Sequence, residues 1–360
     1  MTHAASFEIH FHQFLNAQGE AVGDELPKFA QDLDTLKELY RMMVLTRTFD
    51  NKAVALQRTG QLGTYAACLG QEAIGAGMGS VLQADDVLVP TYREQATQFA
   101  HGVTMVELLQ YWGGDERGSD YKAAREDFPV CIPIATQACH AVGIATAFKL
   151  RQQQRAVVCM SGDGATSKGD FYEALNLAGA WRLPVVFLVS NNQWAISVPR
   201  KAQSAAETLA QKAIAAGFEG MQVDGNDVIA VRWASELALE KARSGKGPTL
   251  IEALTYRMHD HTTADDASRY RSDEELSEHW KADPVARARN YLVAAKAWGK
   301  EDEEALVANC SEQVQAAVDA YLAISPEPPE AMFAHLYETL PKTLEKQMAA
   351  MLAAAGGNDG

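Results

Sequence analysis

Two short apolar runs, Ala156-Met160 and Val185-Val189, read as strands, and the segment between them, Gly169-Arg182, reads as a helix. A strand–helix–strand unit commits the chain to a crossover connection and so to a parallel strand pair. Each run ends on a polar motif: Ser161-Gly162-Asp163-Gly164-Ala165 after the first, Asn191-Asn192 after the second. In open parallel sheets, ligands bind in the crevice outside the carboxyl ends of the strands. Asp163 and Asn192 carry the hard oxygen donors that Mg²⁺ accepts, and Mg²⁺ usually completes its shell with phosphate oxygens and water. The pair therefore predicts a metal–diphosphate clamp. Gly162 and Gly164 are expected to allow tight backbone geometry and close approach, and the amides of Gly164 and Ala165 to donate to phosphate oxygens. Gly-Asp-Gly and Asn-Asn are each common in turns; their pairing on one frame carries the reading.

The rest of the chain extends the pattern. Asp34 is a candidate cap for a helix through Leu36-Leu45 and on towards Leu56, and Gln71-Leu82 reads as a Gly-rich, closely packed helix. Val87-Val89 reads as a strand ending at Pro90-Thr91-Tyr92-Arg93, Ala138-Leu150 as a small-residue helix, and residues 197–205 as a loop. Met221-Val223 and Leu250-Leu254 are candidate strands around a helix from Val228 to Arg243. The polar stretch from Tyr256 to about Ser272 is too long for a simple turn, and such loops are usually functional. Alternating strands and helices predict an α/β fold with a mostly parallel sheet flanked by helices and a helical C-terminal region. Residues 1–30 are expected to form an arm over the surface, 31–345 the main domain (helix-rich from about 284), and 346–360 a helix end with a frayed tail at Gly356-Gly360.

A net charge of −15 argues against nucleic-acid or anionic-membrane partners. No apolar run is long enough to span a bilayer. The N-terminus lacks a signal-peptide pattern. The five cysteines are scattered without a CxxC, as expected of thiols in a reducing cytoplasm.

With these motifs in place, the chain resembles a known family: the α subunit of the E1 component of thiamine-diphosphate-dependent 2-oxo acid dehydrogenases. Gly162-Asp163-Gly164 to Asn191-Asn192 is similar to the family's cofactor motif, and Ser161-Glu173 is most similar to bacterial pyruvate dehydrogenase α chains. Asn191-Ser197 resembles both those chains and branched-chain 2-oxo acid dehydrogenase α chains. The resemblance runs from about residue 30 to about 345. It implies the thiamine-diphosphate-binding fold and assigns roles residue by residue. Asp163, Asn192 and the Trp194 carbonyl would hold Mg²⁺. Tyr92, Arg93, Ile134, Gly162, Asp163, Gly164, Ala165, Asn192, Ile196, Arg257 and His261 would contact the cofactor, and His261 would assist acyl transfer. A histidine there can also donate protons near neutral pH. Ile132-Gln137 resembles a segment that contacts the aminopyrimidine and can bind K⁺ through Thr136 and Gln137, although Ile132 replaces the family's serine; the alternative is that Thr136 and Gln137 cap the following helix. Tyr65 is either on the substrate side or a packed core tyrosine.

The resemblance further implies oxidative decarboxylation of a small 2-oxo acid, pyruvate foremost, with the acyl group passing to a lipoyl group on an E2 transacylase. The glutamate that activates the aminopyrimidine belongs, in this family, to a separate β subunit, so an α₂β₂ heterotetramer is expected. Branched-chain 2-oxo acid dehydrogenase α and acetoin dehydrogenase α are the rival enzymes. A non-catalytic scaffold is the rival of another class, and the intact Asp163, Asn192, Arg93 and His261 argue against it.

Overall fold

The apolar runs resolve, residue by residue, into the two faces of one sheet. In the computed structural model, Val157, Cys159, Val185, Phe187 and Val189 pack on one side against Ala138, Ala141, Phe171 and Leu175. Their neighbours Val158, Met160, Val186 and Leu188 pack on the other against Ile74, Met78, Ala234 and Leu239. Successive side chains of a strand point to opposite faces, and a sheet covered by helices on both sides needs apolar residues at every position. That is why the runs are continuous.

The sheet has six strands: β1 (Phe11–His12), β2 (Val87–Val89), β3 (Val157–Gly162), β4 (Val185–Asn191), then β7 (Glu219–Asp224) and β8 (Thr249–Leu254), in the order β1-β7-β8-β4-β3-β2. All pairs are parallel. A separate antiparallel pair, β5 (Trp194–Ala195) and β6 (Val198–Pro199), follows β4. The α/β architecture with a parallel sheet between helices is therefore the expected one. Residues 2–23 and 25–355 are described, so Gly356-Gly360 lies outside them. The chain divides into two compact units, Met1–Val318 and Asp319–Gly360; within the second lie the helices Ala331–Ala334 and Lys342–Ala355.

Register positions the site. Gly162 of β3 pairs with Ser190 of β4, and Asn191 pairs with Leu254 of β8. Asp163, Asn192 and the segment after Leu254 thus leave the sheet at one level.

Several expectations need correction. The N-terminal segment is more than a surface arm. Phe11–His12 pairs with β7, Leu15 is buried, and Asp227 accepts the amides of Phe14 and Leu15 at 2.6 and 2.8 Å. The first long helix, Leu33–Arg58, is capped by Asp32, whose carboxylate accepts the Asp34 amide at 3.1 Å. The Gly-rich helix is shorter than expected, Glu72–Gly79, and its packing is close: a methyl group on Gly77 would come within 2.7 Å of Val231 Cγ1. Thr136 and Gln137 do not cap a helix. They begin one, Thr136–Leu150, behind Ala135 at φ 70°, without a side-chain cap. The expected loop at 197–205 holds β6 and a short helix, Arg200–Gln203.

Candidate active site

Four strand ends deliver the polar residues. β2 leads into Tyr92-Arg93, β3 into Asp163, β4 into Asn192, and β8 into Arg257 and on to His261. They meet at a cavity of about 470 Å³. Every residue named from the sequence as a contact of the Mg²⁺ or the diphosphate cofactor lines it, Ile134, Trp194 and Ile196 included. Gln137 lines it and Thr136 does not. Tyr65 lies in the core: its ring is fully buried against Phe49 and Trp112, and its hydroxyl donates to Asp50 at 2.5 Å.

The acidic side of the cavity is built on a short 3₁₀ turn, Asp163–Ser167. A Cβ on Gly164 would lie 2.9 Å from the Ala195 Cβ, so the turn packs against β5 only with glycine there. Gly162 differs from expectation. Its φ is an ordinary −87°, and a Cβ would meet no protein atom within 4 Å. Its missing side chain leaves the cavity open and relieves no backbone strain. Asp163 is buried, and its carboxylate accepts the Gln203 amide at 3.2 Å. Burial pushes the Asp163 pKa up to about 6, against the lowering effect of that bond. Asn192 Oδ1 accepts the Trp194 amide at 3.2 Å.

Behind this face, buried Glu252 of β8 ties the end of β4 to the segment that follows Thr208. It accepts the Asn191 side-chain amide at 2.6 Å and the backbone amides of Leu209 and Ala210 at 2.8 and 3.0 Å. Lys212, just beyond, donates to the Thr166 carbonyl at 2.6 Å.

The basic side is built from Arg93, Arg257 and His261. Arg257 is 0% exposed. It donates to the carbonyls of Trp194 (3.2 Å) and Ile196 (2.9 Å) and to the Tyr270 hydroxyl (2.8 Å). The Trp194 carbonyl keeps a second lone pair. Burial first, and then Arg93, lower the Arg257 pKa to about 10. Arg93 donates to the Ala67 carbonyl at 2.9 Å and to the His261 carbonyl, and its guanidinium lies 5.3 Å from the Tyr92 ring centroid.

His261 Nδ1 faces Arg93 Nη2 at 3.0 Å and Arg257 Nη1 at 3.4 Å. Guanidinium nitrogens only donate, so Nδ1 must accept and the ring proton sits on Nε2. Burial, then Arg93 and Arg257, push the His261 pKa down to about 3. The histidine expected to donate protons near neutral pH is thus neutral there, and it offers a hydrogen bond from Nε2. Its backbone amide is fixed by Asp265 at 2.9 Å.

The two sides are electrically incomplete in opposite senses. Among the described residues, Asp163 has no ion-pair partner, and neither do Arg93 and Arg257. Buried charges are ordinarily paired or bound to metals. A cation beside Asp163, bridged to an anion beside the arginines, satisfies both sides. A magnesium diphosphate is such a group. The lining also holds two half-satisfied buried amides. Among the described residues, Gln71 Nε2 and Gln137 Oε1 have no partner. Gln71, Gln203 and Glu252 escape sequence reasoning, since a lone Gln or Glu carries no local signal. Glu94 also lines the cavity, bonded by the Thr91 hydroxyl at 3.0 Å, with burial raising its pKa to about 7. Among the described residues no cluster of three or more His, Cys, Asp or Glu forms a metal-binding group, so a cation here would rest on one carboxylate plus amide and carbonyl oxygens.

Residues 40–330 match the family model described as "Dehydrogenase E1 component". The chain is 40% identical over 334 residues to 3-methyl-2-oxobutanoate dehydrogenase subunit alpha of Mycobacterium tuberculosis (strain CDC 1551 / Oshkosh), covering 92% of this chain and 91% of that one. It is 38% identical over 336 residues to pyruvate dehydrogenase E1 component subunit alpha of Bacillus subtilis (strain 168), covering 93% and 90%. The Bacillus cereus protein of the same name is 38% identical over 346 residues, covering 96% and 92%.

Proposed function

The chain belongs to the dehydrogenase E1 component family, and on that premise we propose that it is the α subunit of a pyruvate dehydrogenase E1. With thiamine diphosphate and Mg²⁺ it would decarboxylate pyruvate and acetylate the lipoyl group of an E2 partner. The observation that carries the reading is the buried, unpaired Asp163 facing the unpaired Arg93 and Arg257 across one cavity.

Asp163, Asn192 and the Trp194 carbonyl would hold the cation. Arg93, Tyr92, Arg257, His261 and the Gly162–Ala165 turn would hold the diphosphate, with Ile134 and Ile196 along the rings. Thiamine diphosphate, when bound, supplies a carbon nucleophile and an electron sink for loss of CO₂. The chain's residues bind and orient it. Two buried guanidinium groups neutralise phosphate charge in a site where burial strengthens each interaction. His261 is locked by both arginines as the Nε2–H tautomer and donates one further hydrogen bond to an anionic oxygen. A K⁺ site at Gln137 is supported by its unpartnered Oε1, and activity that rises with added K⁺ in place of Na⁺ tests it.

The carboxylate that activates the aminopyrimidine is assigned to a β subunit in an α₂β₂ assembly. Glu94 is the rival within this chain. Decarboxylation by the purified single chain, lost in Glu94→Gln, would sink the two-subunit reading.

The second substrate reading is a branched-chain 2-oxo acid. It is supported by the similarity to the Mycobacterium tuberculosis protein. The deciding experiment assays the co-expressed α/β pair against pyruvate, 3-methyl-2-oxobutanoate and acetoin. The proposal expects the highest kcat/KM with pyruvate.

A further inference from the structure

Gln71 stands immediately before the Glu72–Gly79 helix, on a fixed base. The Gly70 amide donates to Glu72 at 2.9 Å, Glu72 accepts Arg47 at 2.7 Å, and the Thr255 hydroxyl holds the Gly70 carbonyl at 2.8 Å. Its side chain lines the cavity and the residue is 5% exposed.

Which end of that side chain faces which neighbour follows from a group that cannot flip. The Trp194 backbone N–H is a donor, so the atom of Asn192 it meets at 3.2 Å must be Oδ1. Asn192 Nδ2 then faces Gln71, 3.1 Å away, and the Gln71 atom there must be the acceptor Oε1. This leaves Gln71 Nε2 as a buried donor with no partner among the described residues. A buried N–H without an acceptor bears the full cost of its desolvation. In a ligand cavity, that atom marks where an acceptor oxygen belongs.

Resting on the function proposed above, we infer that Gln71 is a further binding and positioning residue of the metal–diphosphate site. Its Oε1 holds Asn192 in the orientation that presents Oδ1 to the cation, and its Nε2 donates to a diphosphate oxygen. The anion is the diphosphate and not the carboxylate of the 2-oxo acid because Gln71 hangs on Asn192, at the metal end of the cavity.

The test uses the full chain co-purified with its β partner. Thiamine diphosphate is titrated calorimetrically at fixed Mg²⁺, and Mg²⁺ at fixed thiamine diphosphate. The proteins are wild type, Gln71→Met, Gln71→Glu and Asp163→Ala. Gln71→Met removes both interactions and should raise both half-saturating concentrations by roughly tenfold or more, with the melting temperature of the cofactor-free protein unchanged. Gln71→Glu keeps an oxygen towards Asn192 and loses the donor, so Mg²⁺ half-saturation should recover while cofactor affinity stays weak. If Gln71→Met melts early, Gln71→Glu alone decides. Wild-type half-saturation in the folded Gln71 variants, with binding lost in Asp163→Ala, overturns this inference and leaves the function standing. Unchanged binding in Asp163→Ala overturns the function itself. A Gln71→Met protein that binds cofactor normally but shows a raised KM for the 2-oxo acid also overturns the inference, because the donor then serves the substrate.

Discussion

Asp163, the first residue after β3, has a buried carboxylate whose pKa, about 6, stands above the ordinary 3.8 because burial disfavours its charge. The proton is thus held more tightly in the folded chain than in the unfolded one. This group's contribution to the stability of the cofactor-free protein is full below about pH 3.8 and is lost as pH rises through about 6. A metal ligand must shed its proton, so Mg²⁺ affinity should fall as pH drops below about 6. A half-saturating Mg²⁺ concentration that stays flat from about pH 5 to about pH 8 would contradict the assignment. At the same scale, His261 is held as the neutral Nε2–H tautomer by two donors at Nδ1. Losing Arg93 or Arg257 removes one reason for its low pKa. In Arg257→Gln the His261 pKa should rise, and NMR titration of the ring would show it; an unmoved pKa would mean that Arg257 does not contribute and that burial and Arg93 set it.

At the scale of elements, the site depends on a residue remote from the cavity in sequence. Glu252 on β8 satisfies the Asn191 side chain and two backbone amides of the 208–212 segment. Glu252→Gln would turn an N–H₂ group towards at least one of these donors. The expected cost is about 2–4 kcal/mol in urea unfolding, with weaker cofactor binding as Asn191-Asn192 loosens. Wild-type stability would show that the strut is dispensable. The same element shows what the sequence makes visible. β3 and β4 were readable because a sheet covered on both faces writes an unbroken apolar run, and the polar motifs at their ends fall in register. Glu252, Gln71 and Gln203 were not, because each acts through a partner far away in the chain. β1 was missed because two residues carry no periodicity. The cap is Asp32 and not Asp34 because the helix begins at Leu33, a boundary that the backbone sets and no residue type marks.

At the scale of the molecule, the compact unit Met1–Val318 contains the sheet and the cavity. Among the described residues no helix is long and apolar enough to cross a membrane. In the proposed function the cavity has a cation side and an anion side, and Asp163 is taken up by the cation side. The proposal gives the ring-activating carboxylate to a partner subunit, so the purified chain should show no decarboxylation until the β subunit is added. The most direct measurement is a calorimetric titration of thiamine diphosphate into the α/β pair, with and without Mg²⁺, for wild type and Asp163→Ala. The account predicts saturable binding that requires Mg²⁺ and disappears in Asp163→Ala. Equal binding without Mg²⁺, or with Asp163 removed, would contradict it.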